Sequence, residues 1–88
     1  MSQYKVSYLK RVDKELDKLP SKLARHIIQE IQTLKENPRG SNCKPLKGFH
    51  GIWRLRVGDY RVIYSIKDEQ LLVLVLEVGH RREVYRAL

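Results

Sequence analysis

Four arginines in the second half of the chain have the type and spacing to bind an anion. Arg54 and Arg56 alternate along one strand-like run, Arg61 lies on the next, and Arg81 follows a third. An arginine fork binds two phosphate oxygens at once and stays protonated at neutral pH. A folded sheet would bring these cations together, where they repel each other. The spacing therefore predicts a site for a negatively charged ligand, with nucleic acid phosphate as the leading candidate.

The charge balance of the whole chain points in the same direction. Its 88 residues include 18 lysines and arginines against 10 aspartates and glutamates, a formal net charge of +8. The sequence pI is near 9.9. The excess is concentrated in residues 39–66, where Asp59 is the only acidic residue. A basic chain of this kind suits a polyanionic partner.

Nothing in the sequence indicates a membrane or an oxidising compartment. Cys43 is the only cysteine, so the chain can form no internal disulfide. The longest apolar run, residues 71–76, is far shorter than the ~20 residues of a membrane-spanning helix, and no leader-like pattern opens the chain. We therefore expect a cytoplasmic protein with a single domain over residues 1–88.

The elements that would position the arginines follow from hydrophobic periodicity. Residues 4–8 alternate as a half-buried strand does. Helical spacing predicts two helices, which Pro20 separates and Asn37-Pro38 ends. The glycine-rich residues 39–51 predict a loop with a short extended piece at Pro45 and Leu46. Three further strands are predicted at residues 52–57, 60–66 and 71–78, the last one buried on both faces at the centre of the sheet.

The turn Gly58-Asp59 predicts a tight β-hairpin and fixes the register of its two strands. On one face the register gives an apolar set to pack under the helices: Val57 with Tyr60, Leu55 with Val62 and Trp53 with Tyr64. On the other face Arg56 lies opposite Arg61, with Arg54 two residues along. Like charges in direct opposition destabilise a hairpin, which favours a functional reason for them. Arginines splayed into water on an exposed face are the alternative.

Short motifs occur in a specific arrangement along nearly the whole chain. They are Leu-Lys-Gly at 46–48, Trp-Arg-Leu-Arg at 53–56, Gly-Asp-Tyr-Arg-Val-Ile-Tyr at 58–64, Val-Gly-His-Arg at 78–81 and Val-Tyr at 84–85. With the two amphipathic helices ahead of them, these motifs resemble the RelE/ParE superfamily of bacterial toxins. The resemblance implies an α+β fold in which two helices pack on a mainly antiparallel four-stranded sheet. The implied order is β-α-α-β-β-β, followed by a short C-terminal helix.

The resemblance implies the toxin of a bacterial or archaeal toxin-antitoxin module. In the RelE branch such toxins cut messenger RNA in the ribosomal A site without a metal, whereas the ParE branch poisons DNA gyrase. The implied partners are a cognate acidic antitoxin, the ribosome and messenger RNA, with operator DNA bound only through the antitoxin. No cofactor, metal or membrane is implied. The full arginine set favours RNA cleavage; a gyrase inhibitor and a non-catalytic nucleic-acid-binding or co-repressor module are the alternatives.

Carried onto this sequence, the catalytic positions of the RelE branch fall on Arg54, Arg56, Arg61, Arg81 and Tyr85. We assign Arg61 and Arg81 to the scissile phosphate. Arg54 and Arg56 hold the same phosphate or its neighbours, and Tyr85 stacks on a base or exchanges a proton. Further cations expected to contact RNA or ribosome backbone are Arg39, Lys44, Lys47 and Arg82. An exposed, solubilising loop would account for the loop cations equally well.

The sequence departs from the best-studied RelE pattern, which has lysines where Arg54 and Arg56 stand, one of them proposed as a base. Arginine, with a pKa above ~12, is a very poor base. Either electrostatic stabilisation activates the 2′-hydroxyl, or another group takes its proton. His80 is the natural substitute, because histidine titrates near neutrality and this one adjoins Arg81. A histidine at a strand end is, however, more often a structural hydrogen-bonding group.

Overall fold

The computed structural model describes residues 3–80. Its elements in chain order are one strand, two helices and four further strands. They are β1 (Lys5–Tyr8), α1 (Lys10–Asp17), α2 (Ser21–Gln32), β2 (Cys43–Pro45), β3 (Ile52–Val57), β4 (Tyr60–Lys67) and β5 (Leu72–His80), with 3₁₀ turns at Thr33–Lys35 and Asp68–Gln70. The predicted short C-terminal helix lies outside the described residues.

The two helices form because apolar residues recur at helical spacing and a proline separates them. Val12 and Leu16 of α1 and Ile27 and Ile31 of α2 are buried. Pro20 directly precedes α2 with φ of −53°, the value that its ring imposes and that a helix start accepts. Burying each aliphatic side chain contributes about 1.5–3 kcal/mol, so one apolar stripe holds each helix against the sheet. Within residues 3–80, no helix has the length and apolar character needed to cross a membrane.

Five strands form one mixed sheet in the order β1-β5-β4-β3-β2. β1 runs parallel to β5, and the other neighbours are antiparallel. The α+β class is confirmed, but the predicted count of four strands was wrong, because β2 lies within the stretch expected to be a loop. β2 covers the outer edge of β3, whose backbone groups would otherwise lack partners. Pro45 is tolerated there because an edge strand leaves one side unpaired.

The middle strand of the sheet is β4 rather than β5. Residues 62–66 of β4 are all buried. The prediction that residues 71–78 are buried on both faces was wrong, because Val73 and Val75 are buried while the leucines between and beside them are only partly so. Side chains alternate between the faces of a strand. The helices pack against the face that carries the valines, so the alternate leucines lie on the other one.

Tyr64 ties the core to the segment that follows α2. Its side chain is fully buried, and its hydroxyl donates a hydrogen bond of 2.6 Å to the carbonyl of Pro38. Burial raises the pKa of the Tyr64 phenol above its ordinary value, so the hydroxyl stays protonated and remains a donor. Trp53, its cross-strand partner, also packs against the core, as predicted, and is half-buried.

The hydroxyl of Tyr64 makes a testable contribution to stability. Tyr64→Phe is expected to lower the free energy of unfolding by about 1–3 kcal/mol, because it leaves the buried Pro38 carbonyl without its donor. Urea unfolding measures the change. Tyr8→Phe is the matched control, since the Tyr8 hydroxyl accepts a 3.2 Å bond from Gln32 at a part-buried site and its removal should have a clearly smaller effect. Equal losses of unfolding free energy in the two variants would contradict the larger contribution assigned to the hydrogen bond between Tyr64 and Pro38.

Candidate functional site

The β3–β4 hairpin has the register that its turn predicts. Gly58 has φ of +59°, a left-handed conformation that glycine adopts without strain, and forms the two-residue turn with Asp59. The apolar pairs are Val57 with Tyr60, Leu55 with Val62 and Trp53 with Tyr64. These predicted pairs are confirmed, and with them the face on which each side chain of the hairpin lies.

Four neighbouring cations of β2, β3 and β4 lie on the face of the sheet that points away from the helices. Arg56 is directly opposite Arg61, and Arg54 lies two residues along β3. Lys44 of β2 is directly opposite Arg54. Their neighbours along β3 and β4 belong to the core that packs with the helices, and side chains alternate between faces. We call Lys44, Arg54, Arg56 and Arg61 the cationic face.

An acid lies beside the cationic face: Glu77 of β5 is buried opposite Ile63, two residues along β5 from the partner of Arg61. Arg56 is exposed, and its Nε donates to the carbonyl of Gly58 at 3.4 Å. Arg54 and Arg61 are half-buried. The salt bridges within residues 3–80 are Arg11–Glu15 and Arg39–Asp68, and neither involves this face. Like charges in direct opposition destabilise the ladder, and a bound polyanion would relieve that repulsion.

A small cleft opens beside the cationic face. It has a volume of about 150 Å³ and is lined by Ser41, Asn42, Lys44, Arg54 and Arg56. This volume is below the ~300–1,000 Å³ typical of sites for whole small molecules. The lining combines cations with hydroxyl and amide groups that can donate hydrogen bonds. Such an arrangement suits a single phosphate group, which cations bind through charge-assisted hydrogen bonds.

Three predicted site residues, Arg81, Arg82 and Tyr85, lie outside the described residues. The structure does place the strand that leads to them. At the end of β5, Gly79 pairs with Arg61 and His80 pairs with Tyr60. Arg81 is therefore the next residue after a strand end that adjoins Arg61.

His80 does not lie on the cationic face. Its ladder partner is Tyr60, which packs against the core, and the two rings are 5.6 Å apart in an edge-to-face arrangement. Both residues line a cleft on the helix side together with Arg11 and Glu15 of α1. Because side chains alternate between faces, His80 and the arginines are on opposite sides of the sheet. The structure therefore does not bring His80 to the phosphate site for which the sequence suggested it.

Arg39 is paired with an acid and lies away from the cationic face. Its guanidinium donates to both carboxylate oxygens of Asp68, at 3.2 and 2.8 Å, and lies 5.6 Å from the centre of the Trp53 ring. The bond from Arg39 lowers the pKa of Asp68. Trp53 is on the core side of β3, so Arg39 and Lys44 lie on different faces of the sheet.

The fold and the cationic face together define a small basic α+β protein with a surface suited to a polyanion. Residues 6–85 match the family described as the ParE toxin of the type II toxin-antitoxin system parDE. The chain therefore belongs to this toxin family, within the RelE/ParE superfamily that its motifs resemble.

Similar proteins carry RelE-type names. Toxin RelG of Mycobacterium tuberculosis is 32% identical over 85 residues, which cover 94% of this chain and 97% of that protein. The mRNA interferase toxin RelE of Escherichia coli K12 is 31% identical over 86 residues, which cover 93% of this chain and 90% of that one. The archaeal RelE-RelB complex from Pyrococcus horikoshii OT3 aligns with a TM-score of 0.79 at 29% identity, over 92% of this chain and 98% of the RelE-type chain it matches. These similarities support the predicted superfamily and fold class.

The sequence did not reveal that Lys44 belongs with the arginines. Lys44 was predicted in a loop together with Lys47, which is exposed after β2. Backbone bonds extend the pairing of β2 beyond its three residues: Arg56 donates to the carbonyl of Asn42 at 3.1 Å, and Leu46 donates to that of Ile52 at 2.9 Å. A three-residue strand is too short to show alternation. The sequence feature that could have indicated β2 was the predicted strand β3, because the backbone groups on its outer edge can pair with a further strand.

The opposed arginines make the stability depend on salt. Arg56→Gln is expected to raise the free energy of unfolding by about 0.2–1 kcal/mol at low salt, because it removes a directly opposed pair of like charges. The gain should shrink at high salt, which screens the repulsion. Urea unfolding at both salt concentrations measures it. Lys67→Gln is the matched control, since Lys67 is an exposed cation on β4 opposite the apolar Leu72; equal gains in both variants would assign the effect to net charge.

The Arg39–Asp68 pair makes a prediction about pH. Arg39 holds the pKa of Asp68 below its ordinary 3.8, so the stabilisation is present above that value and is lost as the pH falls through the lowered pKa. An NMR titration of the Asp68 carboxyl carbon should therefore have a midpoint below 3.8, and Arg39→Gln should move it upward. Arg11→Gln breaks the Arg11–Glu15 bridge instead and should leave it unchanged. A midpoint insensitive to Arg39→Gln would assign the shift to another cause.

Proposed function

We propose that this chain, as a single toxin domain, is a cytoplasmic endoribonuclease that cleaves translated messenger RNA on the ribosome without a metal. The observation that carries the proposal is the cationic face, where Arg56 and Arg61 are directly opposed and Arg54 lies beside them. The name of the related E. coli toxin, mRNA interferase, supports the same activity. The substrate would be a single RNA strand whose phosphates lie along this face.

Cleavage without a metal uses the RNA's own 2′-hydroxyl as the nucleophile. The 2′-oxygen gives up its proton and attacks the adjacent phosphorus, and the 5′-oxygen departs and takes up a proton. The products are a 2′,3′-cyclic phosphate and a 5′-hydroxyl. The protein must hold the in-line geometry and stabilise the additional negative charge of the phosphorane. Cations fixed in place before the reaction do this most effectively, because they need not reorganise as the charge develops.

The cationic face provides groups for this task. Arg61 and Arg81 are proposed to bind the scissile phosphate, since Arg61 is on the middle strand and Arg81 follows the strand end beside it. Arg54 and Arg56 would hold the same phosphate or its neighbours. Lys44, directly opposite Arg54, would add a further cation to the same phosphate track.

The proton of the 2′-hydroxyl needs a destination. Arginine stays protonated at neutral pH and cannot accept it, and His80 is on the helix side of the sheet. We therefore favour activation of the 2′-hydroxyl mainly by electrostatic stabilisation from the cationic face, with water as the proton acceptor. Tyr85 is proposed to stack on a base or to exchange a proton with the leaving group.

Contacts to the ribosome would come from cations outside the cationic face. Lys47 is exposed in the loop between β2 and β3, and Arg82 adjoins Arg81 in the sequence. Such contacts to phosphates add affinity without sequence choice. Arg39, which is paired with Asp68, would contribute less.

A cognate acidic antitoxin is the proposed protein partner. RelE from Pyrococcus horikoshii was solved as a complex with RelB, and E. coli RelE as the intact RelBE toxin-antitoxin complex. The net charge of +8 on this chain favours an acidic partner that covers the cationic face or packs on the helices. Operator DNA would be contacted only through the antitoxin.

Substitution of Arg61 tests the nuclease proposal. Arg61→Ala is expected to lower cleavage of translated messages about 10²–10³-fold, the usual loss when one donor to a developing charge is removed. The measurement is expression in bacteria followed by mapping of 5′ ends on translated messages. Lys67→Ala, which removes an exposed cation from the same strand, should cleave like the wild type. Growth arrest without codon-phased cuts, equally strong with Arg61→Ala, would refute the nuclease proposal.

Gyrase inhibition is the second candidate function, because the matching family carries the ParE description. It predicts that Arg54→Ala and Arg61→Ala proteins remain toxic and that the DNA-damage response rises in expressing cells. The same expression experiment separates the two functions. Codon-phased cuts that Arg61→Ala abolishes, with no DNA-damage response, would exclude gyrase as the target.

A further inference from the structure

Phe49 is an exposed aromatic residue at the open end of the β3–β4 hairpin. Its side chain is 45% exposed, and it lies in the loop that joins β2 to β3. Single exposed apolar residues are common on protein surfaces, so exposure alone indicates nothing. The arrangement of the loop and the composition of its surroundings carry the inference.

Backbone hydrogen bonds fix the loop that presents Phe49. Its N–H donates to the carbonyl of Leu46 at 3.3 Å, and Gly48, at the third position of this turn, has φ of +86°. A type II turn requires a positive φ at that position, which glycine provides. The ends of the loop are tied to the sheet, because Leu46 donates to Ile52 at 2.9 Å and a β4 residue donates to the carbonyl of Gly51 at 3.0 Å. The ring is therefore presented by an ordered turn.

Phe49 lines a cleft large enough to admit a nucleobase. The cleft has a volume of about 640 Å³, and its lining includes Arg39, Phe49, His50, Trp53, Lys67 and Asp68. This volume is within the ~300–1,000 Å³ range of small-molecule sites. Trp53 already has the Arg39 guanidinium over its ring. The rings that line the cleft are those of Phe49, His50 and Trp53, and Phe49 is the exposed apolar one.

The cleft lies at the end of β3 from which the strand leads to the cationic face. Ile52 lines the cleft and lies on the same face of β3 as Arg54, two residues away. At ~3.3 Å per strand residue this separation is ~7 Å, about two stacked nucleotide steps of ~3.4 Å. A single RNA strand whose phosphates contact the arginines can therefore place a neighbouring base in the cleft.

We propose that Phe49 is a base-stacking residue that binds one unpaired base of the messenger RNA strand held by the cationic face. The inference rests on the proposed function for the identity of that strand. Aromatic stacking tolerates every base because each has a π face, and its strength varies with the overlap area. Phe49 therefore adds affinity and a preference for purines at one fixed position relative to the cut.

A binding experiment with RNA that cannot be cleaved tests the stacking. Short single strands carry 2′-O-methyl groups throughout and the fluorescent purine analogue 2-aminopurine at each position in turn. Trp53, the only tryptophan of the chain, reports on the cleft from the protein side. The wild type should quench 2-aminopurine at one position and change the Trp53 emission. Phe49→Ala should abolish this quenching and weaken binding about 5- to 150-fold, the equivalent of the ~1–3 kcal/mol that base stacking contributes.

Matched variants separate stacking from general apolar contact. Phe49→Tyr keeps the aromatic face and should bind like the wild type, whereas Phe49→Leu is apolar without a π face and should bind as weakly as Phe49→Ala. Ile28→Ala removes a comparably exposed apolar residue, 37% exposed on α2, and should have no effect. Wild-type affinity in Phe49→Leu, or an equal loss in Ile28→Ala, would overturn the proposal.

Mapping of 5′ ends in cells shows which RNA supplies the base. Phe49→Ala should flatten the base preference at one fixed offset from the cut. A uniform drop in cleavage with unchanged preference would assign the contact to ribosomal RNA and overturn the proposal. The nuclease proposal and the stacking proposal can be refuted separately. If the wild-type protein quenches 2-aminopurine but makes no cuts, the nuclease function is refuted and the stacking site is supported. If it makes cuts but does not quench 2-aminopurine, the stacking site alone is refuted.

Discussion

The register of the β3–β4 hairpin is the constraint on which both layers of the molecule depend. A shift by one residue would move Leu55 and Val62 to the open face and place Arg56 and Arg61 under the helices. Burying unpaired guanidinium groups in that core is far more costly than leaving them opposed in water. The turn at Gly58, with φ of +59°, specifies the same register. Turn chemistry, core packing and charge exclusion therefore agree on one arrangement.

That arrangement places the arginines on the most constrained part of the sheet. β4, which carries Arg61, has a hydrogen-bonded neighbour on each side, and so does β3. The strand that leads to Arg81 is fixed differently. β1 pairs with β5 only as far as Val75, and beyond it the Glu15 carboxylate of α1 accepts the backbone N–H of Val78 at 2.9 Å. A side chain from a helix thus replaces a strand neighbour, so the strand end beside Arg61 is held by both layers.

Local signals predicted the parts of the fold that local chemistry determines. Helical periodicity and Pro20 predicted the two helices, and the turn Gly58-Asp59 predicted the cross-strand pairs of the hairpin. The errors concern long-range pairing. β2 forms by pairing with the outer edge of β3. Contrary to the prediction, β5 is not buried on both faces, because the helices cover only one face of the sheet. The face of His80 depends on a register shift between Ile63 and Tyr64, where β5 has one additional residue. If the alternation from Val75 were uninterrupted, His80 would lie on the same face as the arginines. The bulge moves His80 to the helix side, and no residue type in the sequence indicates a bulge at this position.

The division between the two faces of the sheet leaves arginine at positions 54 and 56 to bind phosphate rather than to accept a proton. Arginine stays protonated and His80 is on the helix side, so what these two positions offer a nuclease is a fork that binds two phosphate oxygens. The repulsion between Arg56 and Arg61 lowers the stability of the free chain, and a bound phosphate backbone would offset it. An acidic protein would offset the same repulsion in the same way. One surface would thus favour both the substrate and an inhibitor that excludes it, because each binds by neutralising the same opposed charges.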